Sequence, residues 1–158
     1  MSLTIAPARP DDAPLILKFI RALAEYEKLS QACVATETAL RETLFGERPY
    51  AEVVIARWHG EPAGFALFFH NYSTFLAKPG LYLEDLFVEP RLRGHGIGKA
   101  LLTELARIAN RRGCGRVEWS VLDWNQPSID FYRRMGAVAM DEWTAFRLSG
   151  AALEGYGR

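Results

Sequence analysis

The chain is short of cysteine, of net charge and of long apolar runs, and each shortage removes a class of function. Only Cys33 and Cys114 occur in 158 residues, with no CxxC and no disulfide framework. A reducing cytoplasm is the compartment this composition fits. Nineteen Lys plus Arg balance nineteen Asp plus Glu, so the formal net charge is zero. The basic excess of a general nucleic-acid binder is missing, and no nucleic-acid partner is expected. No apolar run reaches ~18 residues, so no membrane span is expected. The start "MSLTIAPARPDD" has no apolar core of the kind a secretory leader carries. His59, His70 and His95 lack metal-ligand spacing, and no metal is expected. There is no internal repeat and no low-complexity tract.

What is present suits one globular domain with a real core: 49% of residues are apolar and 24% charged. "LTIAPA" reads as a first strand, and Asp11 or Asp12 offers an N-cap for a helix over Leu15–Leu29. Thr36 caps a second helix running to about Leu44. "AEVVIARW" and "AGFALFFHNY" read as strands joined by a turn at "HGEP", and "GLYLEDLFV" as a third. Ile97, Leu101, Leu105 and Ile108 recur on one helical face, with Gly113 suited to the C′ position. "RVEWSVL" is a strand. "NQPSIDFYRRMG" is a short helix with Pro127 in its first turn and Gly136 past its end. "AVAMDEW" and "TAFRL" read as a closing pair of strands, and the tail as loose. This order predicts an α/β (α+β) domain over residues 3–148, with 149–158 as a tail.

"RGHGIGKALL", Arg93 to Leu102, places three glycines in five residues just before a helix. Read as a P-loop, it has Arg93 in place of the first glycine and Ala100 in place of the hydroxyl that would hold magnesium. Read as a dinucleotide fingerprint, it has Lys99 in place of the third glycine. The pattern [RQ]-x-x-G-x-[GA] fits as Arg93, Gly96 and Gly98. There, successive N–H groups and the positive end of a helix grip a pyrophosphate. A tight turn with solvated arginines is the plain alternative.

A second motif follows about 30 residues later, "NQPSIDFYRRMG" from Asn125 to Gly136. With both motifs in register, the chain resembles the GNAT family of acetyl-CoA-dependent N-acetyltransferases. Within it, "ALAEYEKL", "FGERPY", "GLYLEDLFV" and "DWNQPSIDFYRRMGA" are most similar to the diamine and thialysine acetyltransferases. The resemblance implies a GNAT fold, a mixed, mostly antiparallel sheet of six to seven strands flanked by about four helices. It implies acetyl-CoA as donor, with the backbone of Leu86, Phe87 and Val88 pairing with the pantetheine arm. Arg93, Gly94, His95, Gly96, Ile97, Gly98 and Lys99 would hold the pyrophosphate. Asn125, Gln126, Pro127 and Ser128 would also contact the coenzyme. The family's habit of pairing implies a homodimer, to which "FALFFHNYSTF" would contribute.

Acyl transfer to an amine needs a fixed thioester, a neutral amine, a sink for its proton and a donor for the departing thiolate. Asn125, Ser128 and Tyr132 are spaced i, i+3, i+7, so one helical face can present all three. A phenol, with its ordinary pKa of about 10, stays protonated at neutral pH. The resemblance makes Tyr132 the general acid; a core tyrosine is the alternative. Glu84 and Asp85 interrupt an apolar strand, where charge is costly unless exposed, paired or functional. Strand alternation sends one carboxylate to each face. The resemblance makes Glu84 the proton relay on the substrate side, against the alternative of an edge charge. The resemblance implies that Tyr26 and Glu27, and Glu118, Trp119 and Ser120, border a small primary amine drawn in by the carboxylates; ordinary solvated charge is the alternative for Glu27 and Glu118. A different amine acceptor, or an acyl-CoA-binding module without catalysis, are the rivals.

Overall fold

A computed structural model describes residues 2–157. The chain divides into two compact units, one up to Ser120 and one from Val121. Each unit is taken by itself.

The first unit is a five-stranded sheet in sequence order: β1 (Leu3–Pro7), β2 (Glu52–Trp58), β3 (Glu61–Ser73), β4 (Lys78–Val88) and β5 (Val117–Trp119). All neighbours are antiparallel except β4 and β5, which are parallel. The parallel pair needs a crossover, and α3 (Ile97–Arg111) supplies it. Its face of Ile97, Leu101, Leu105 and Ile108 is buried, as the spacing predicts. The other face of the sheet takes α1 (Ala13–Tyr26) and α2 (Glu37–Phe45). There Phe19 stacks on Phe65 at 5.4 Å and meets Phe87 at 6.0 Å, inside a cluster with Ile16, Leu40, Val53 and Ile55. β3 is buried on both faces along Ala63–Ala66, which places it at the centre of the core.

Several local signals act as read. The Thr36 hydroxyl accepts from Ala39 N at 3.1 Å and starts α2. Gly113 sits at φ 73° just past α3. The β2–β3 turn tightens to His59 and Gly60, both at positive φ, the geometry that keeps hairpin strands correctly twisted.

Other expectations change. α1 ends at Tyr26, three residues short of Leu29, because Lys28 turns left-handed at φ 62°. Its Asp12 does not cap the helix through its side chain; it accepts from Arg9 N at 2.8 Å and closes the preceding turn. β5 spans three residues instead of seven. In the second unit, α4 (Gln126–Arg134) forms as expected, with the Asn125 side chain accepting from Ser128 N and Gly136 at φ 93° beyond its end. Residues 137–148, read as two closing strands, form no strand, so the described residues hold five strands and not six or seven. The tail is helical, α5 (Gly150–Tyr156), where a loose end was expected. That makes five α-helices against about four.

Candidate active site

The site begins with a widening between β4 and β5. They pair only at Leu81, Tyr82 and Leu83, opposite Val117, Glu118 and Trp119. Beyond Leu83, β4 keeps its β3 partner and has none on the β5 side among the described residues. The Glu89 N–H bonds Ala63 O, so the odd residues here face β3. By alternation, the N–H and C=O groups of Leu86 and Val88 point into the gap. An extended, amide-bearing ligand has a strand edge to lie against there. The Val88 carbonyl already accepts from the Arg93 Nε at 3.2 Å.

The glycine loop follows directly. Gly94 and Gly96 take φ 89° and 77°, a region side chains with a Cβ enter at a cost. Gly96 is the N-cap of α3 and offers no side chain to its first turn. The N–H groups of Ile97, Gly98 and Lys99 therefore lack helical partners and face outward. This is an anion cradle without a competing cap, and a pyrophosphate would fit it. Lys99 adds a cation beside it, on an exposed position.

Two aromatic contacts steady the loop, and neither is legible from the motif. His95 stacks on Trp58 at 4.6 Å with the rings 24° apart. The Arg93 guanidinium lies 5.0 Å from the centre of the Tyr26 ring. The loop is thus tied to the end of β2 and the end of α1. A stacked aromatic pair contributes about 0.5–1.5 kcal/mol. Trp58→Ala is expected to raise the KM for acetyl-CoA by about 2–10-fold with little change in kcat. Steady-state kinetics with the donor varied would show it; an unchanged donor KM would remove the positioning role.

Three carboxylates converge on the α1 side of the gap. The β3–β4 ladder slips at this point: Leu67 faces Asp85 while Phe68 faces Leu83. Glu84 is the extra residue of a β-bulge. The alternation read from sequence fails there for that reason. Asp85 lies on the face of Leu67 and Phe87, towards α1, and feels both Glu84 and Glu27. Burial, then Glu84, then Glu27 push the Asp85 carboxyl up to about 6. Burial, then Glu84, also raise Glu27. Glu84 itself is exposed. A cationic amine placed among these carboxylates would relieve their mutual repulsion.

The remaining predicted residues have the following places. Ser120 Oγ lies 3.0 Å from the Tyr82 hydroxyl. Glu118 is engaged by Arg116 Nε at 3.1 Å and by Asn71 Nδ2 at 3.2 Å, so its charge is largely met within the sheet. Trp119 is half-buried. In the second unit, Asn125 is buried and its Oδ1 accepts from Ser128 N at 3.4 Å. Gln126 donates to Asp130, and Pro127 occupies the first turn of α4. Tyr132 is half-buried beside Phe131, with ring centres 5.6 Å apart. His70 is exposed: its Nδ1 lies 3.0 Å from Gly80 O and its Nε2 3.0 Å from Arg112 Nη1. Among the described residues no cluster of His, Cys, Asp or Glu is arranged to hold a metal. None of their helices is long and apolar enough to cross a membrane.

The family model described as Acetyltransferase (GNAT) family matches residues 20–137. Thialysine N-epsilon-acetyltransferase of Sus scrofa is 39% identical, over 96% of this chain and 95% of its own length. L-ornithine N5-acetyltransferase of Arabidopsis thaliana is 37% identical, over 93% of this chain and 84% of its own. Among solved structures, an integron cassette protein from the mobile metagenome of V. cholerae superposes with a TM-score of 0.83. It is 28% identical and covers 98% of this chain and 97% of its own.

Proposed function

The chain belongs to the acetyltransferase (GNAT) family and is an N-acetyltransferase, and from that premise we propose that it moves the acetyl group of acetyl-CoA to the terminal amine of a small aliphatic diamine-like substrate. The acceptors we have in view are thialysine-like and ornithine-like amino acids, with polyamines as further candidates. The observation that carries this is the convergence of Glu27, Glu84 and Asp85 beside the β4 gap. Such a cluster favours an acceptor with more than one positive charge. The chain as a whole is neutral, so the attraction is local to the cleft. The names of the relatives, an ornithine and a thialysine enzyme, point the same way.

The chemistry is direct transfer in a ternary complex. The donor's pantetheine arm lies along Leu86–Val88, and Gly94–Lys99 hold its pyrophosphate. Asn125–Ser128 complete the contacts. The amine loses a proton to Glu84, through water, and its nitrogen bonds to the acetyl carbon. The carbon–sulfur bond breaks, and the Tyr132 hydroxyl protonates the departing thiolate. Asp85 and Glu27 hold the acceptor's second cation, with Tyr26 beside them; Trp119 and Ser120 border the amine. Glu118, already paired, has the least charge to offer. Residues 3–148 act as one catalytic domain, in the cytoplasm. Two copies pair, a reading supported by exposed Tyr72 and a fully exposed Phe75 at the β3–β4 turn.

Thiol release from acetyl-CoA tests this reading. It is expected to rise at least ~10-fold over background with thialysine, ornithine or spermidine, and far less with a monoamine of equal length. Silence across the amines would overturn it and favour an acyl-CoA-binding module.

A further inference from the structure

The gap between β4 and β5 ends at a bar of two hydroxyl side chains. Among the described residues, the strands pair last at Leu83 and Trp119 and part beyond that point. The next residue after β5 is Ser120, and its Oγ lies 3.0 Å from the Tyr82 hydroxyl. Tyr82 stands one residue before the last pair, so its ring reaches forward across the closed end. It is braced from the other side as well. Phe69 is its partner on β3, and the two rings lie 5.3 Å apart at 36°. Phe69 shares the α1 face of β3 with Leu67, so the bar crosses the gap on the face where the carboxylates gather.

The opposite face is filled. Leu81 and Leu83 are buried there, opposite His70 and Phe68 of β3. Phe68 shares a cavity wall with Ile108 of α3, and His70 meets Arg112 at the end of that helix. A ligand that runs down β4 past Val88 and Leu86 therefore meets side chains on both faces where the strands close. We propose that Tyr82 and Ser120 set the length of the acyl group that the donor carries. An acetyl group stops short of the bar, and each further methylene must push it aside. The inference rests on the donor reading above and adds which thioesters it admits.

The pair suits this task better than a role in holding the sheet. Ser120 is exposed and lies past the last β4–β5 pair, so its bond to Tyr82 belongs to no ladder. β4 already has its full set of partners on β3. What the bond does is fix a ring. Tyr82 cannot swing aside without losing the Ser120 hydroxyl and leaving Phe69, so the wall stays rigid where a lone aliphatic side chain would yield. Against a rigid wall, one methylene is worth about 10–200-fold.

The test uses the full chain and reads binding without turnover. Isothermal titration with CoA, acetyl-CoA and butyryl-CoA is run on the wild type, Tyr82→Ala and Ser120→Ala. The wild type is expected to bind CoA and acetyl-CoA within about threefold of each other and butyryl-CoA at least ~10-fold more weakly. Tyr82→Ala is expected to bind all three within about threefold, with the Kd for CoA close to that of the wild type. Ser120→Ala, which frees the ring, is expected to cut the butyryl penalty by about threefold or more. A wild type that binds none of the three overturns the donor reading itself. A wild type that binds all three alike, or a variant of either kind that keeps the full butyryl penalty, overturns the length limit alone. A Tyr82→Ala chain that loses CoA along with butyryl-CoA marks a purely structural role and also ends the proposal. If Tyr82→Ala does not fold, Ser120→Ala decides by itself.

Discussion

Tyr132→Phe is expected to lower kcat by about 10²-fold while the affinity for acetyl-CoA changes less than about twofold. The substitution removes one oxygen from a ring that Phe131 holds in place, with centres 5.6 Å apart. α4 keeps its ends: the Asn125 cap on Ser128 N, Pro127 in the first turn and Gly136 at φ 93°. Circular dichroism is therefore expected to match the wild type. The size of the loss follows from the leaving group. A thiol titrates near 8.5, so a thiolate departs from carbon with moderate ease, and general-acid help sits at the lower end of its usual ~10²–10⁴ range. The defect should narrow as the pH rises past about 9, where an unprotonated thiolate is the stable product. Equal kcat for the two proteins across the pH range would remove Tyr132 as the acid.

Much of this site was legible in the sequence because its signals are local. A glycine at positive φ, a threonine one position before a helix and a four-residue apolar face each act within a turn of the chain. Thr36, Gly113 and the Ile97–Ile108 face work where they were read, and Gly96 takes the positive φ that a tight turn needs. What escaped depends on partners distant in sequence. The bulge at Glu84 is set by the register of β4 against Leu67 and Phe68, seventeen and sixteen residues away. Without it, alternation assigns Glu84 and Asp85 to opposite faces and hides the cluster. The Trp58–His95 stack joins a hairpin end to the glycine loop across 37 residues, and no motif mentions it. Residues 137–148 show the same limit from the other side. Their pattern states a preference for strand, while pairing needs an edge that the local sequence does not contain.

Asp85→Asn is expected to stabilise the fold at neutral pH and weaken use of a cationic acceptor, and the two effects share one cause. The Asp85 carboxyl titrates at about 6 in the folded chain against its ordinary 3.8, chiefly through burial, then Glu84 and Glu27. The folded state therefore holds its proton more tightly than the unfolded state. The resulting stability is fully present below pH 3.8 and is lost as the pH rises through about 6. Above that, the folded chain carries an unrelieved carboxylate that costs at most about 3 kcal/mol. Asparagine carries no such charge. Its Tm should exceed that of the wild type by several degrees at pH 7.5 and by little at pH 4. The acceptor reverses the preference. A bound ammonium group offsets the carboxylate, so the wild-type KM for a diamine should fall as the pH rises from about 5 to 7, while the amine stays protonated. In Asp85→Asn that slope should flatten and the KM at pH 7.5 should rise about 10-fold or more. Calorimetry at two pH values and acceptor kinetics across the range would show both. A variant no more stable at pH 7.5, or one that keeps the wild-type KM profile, would mean that the charge at Asp85 is already met within the fold and does not select the acceptor.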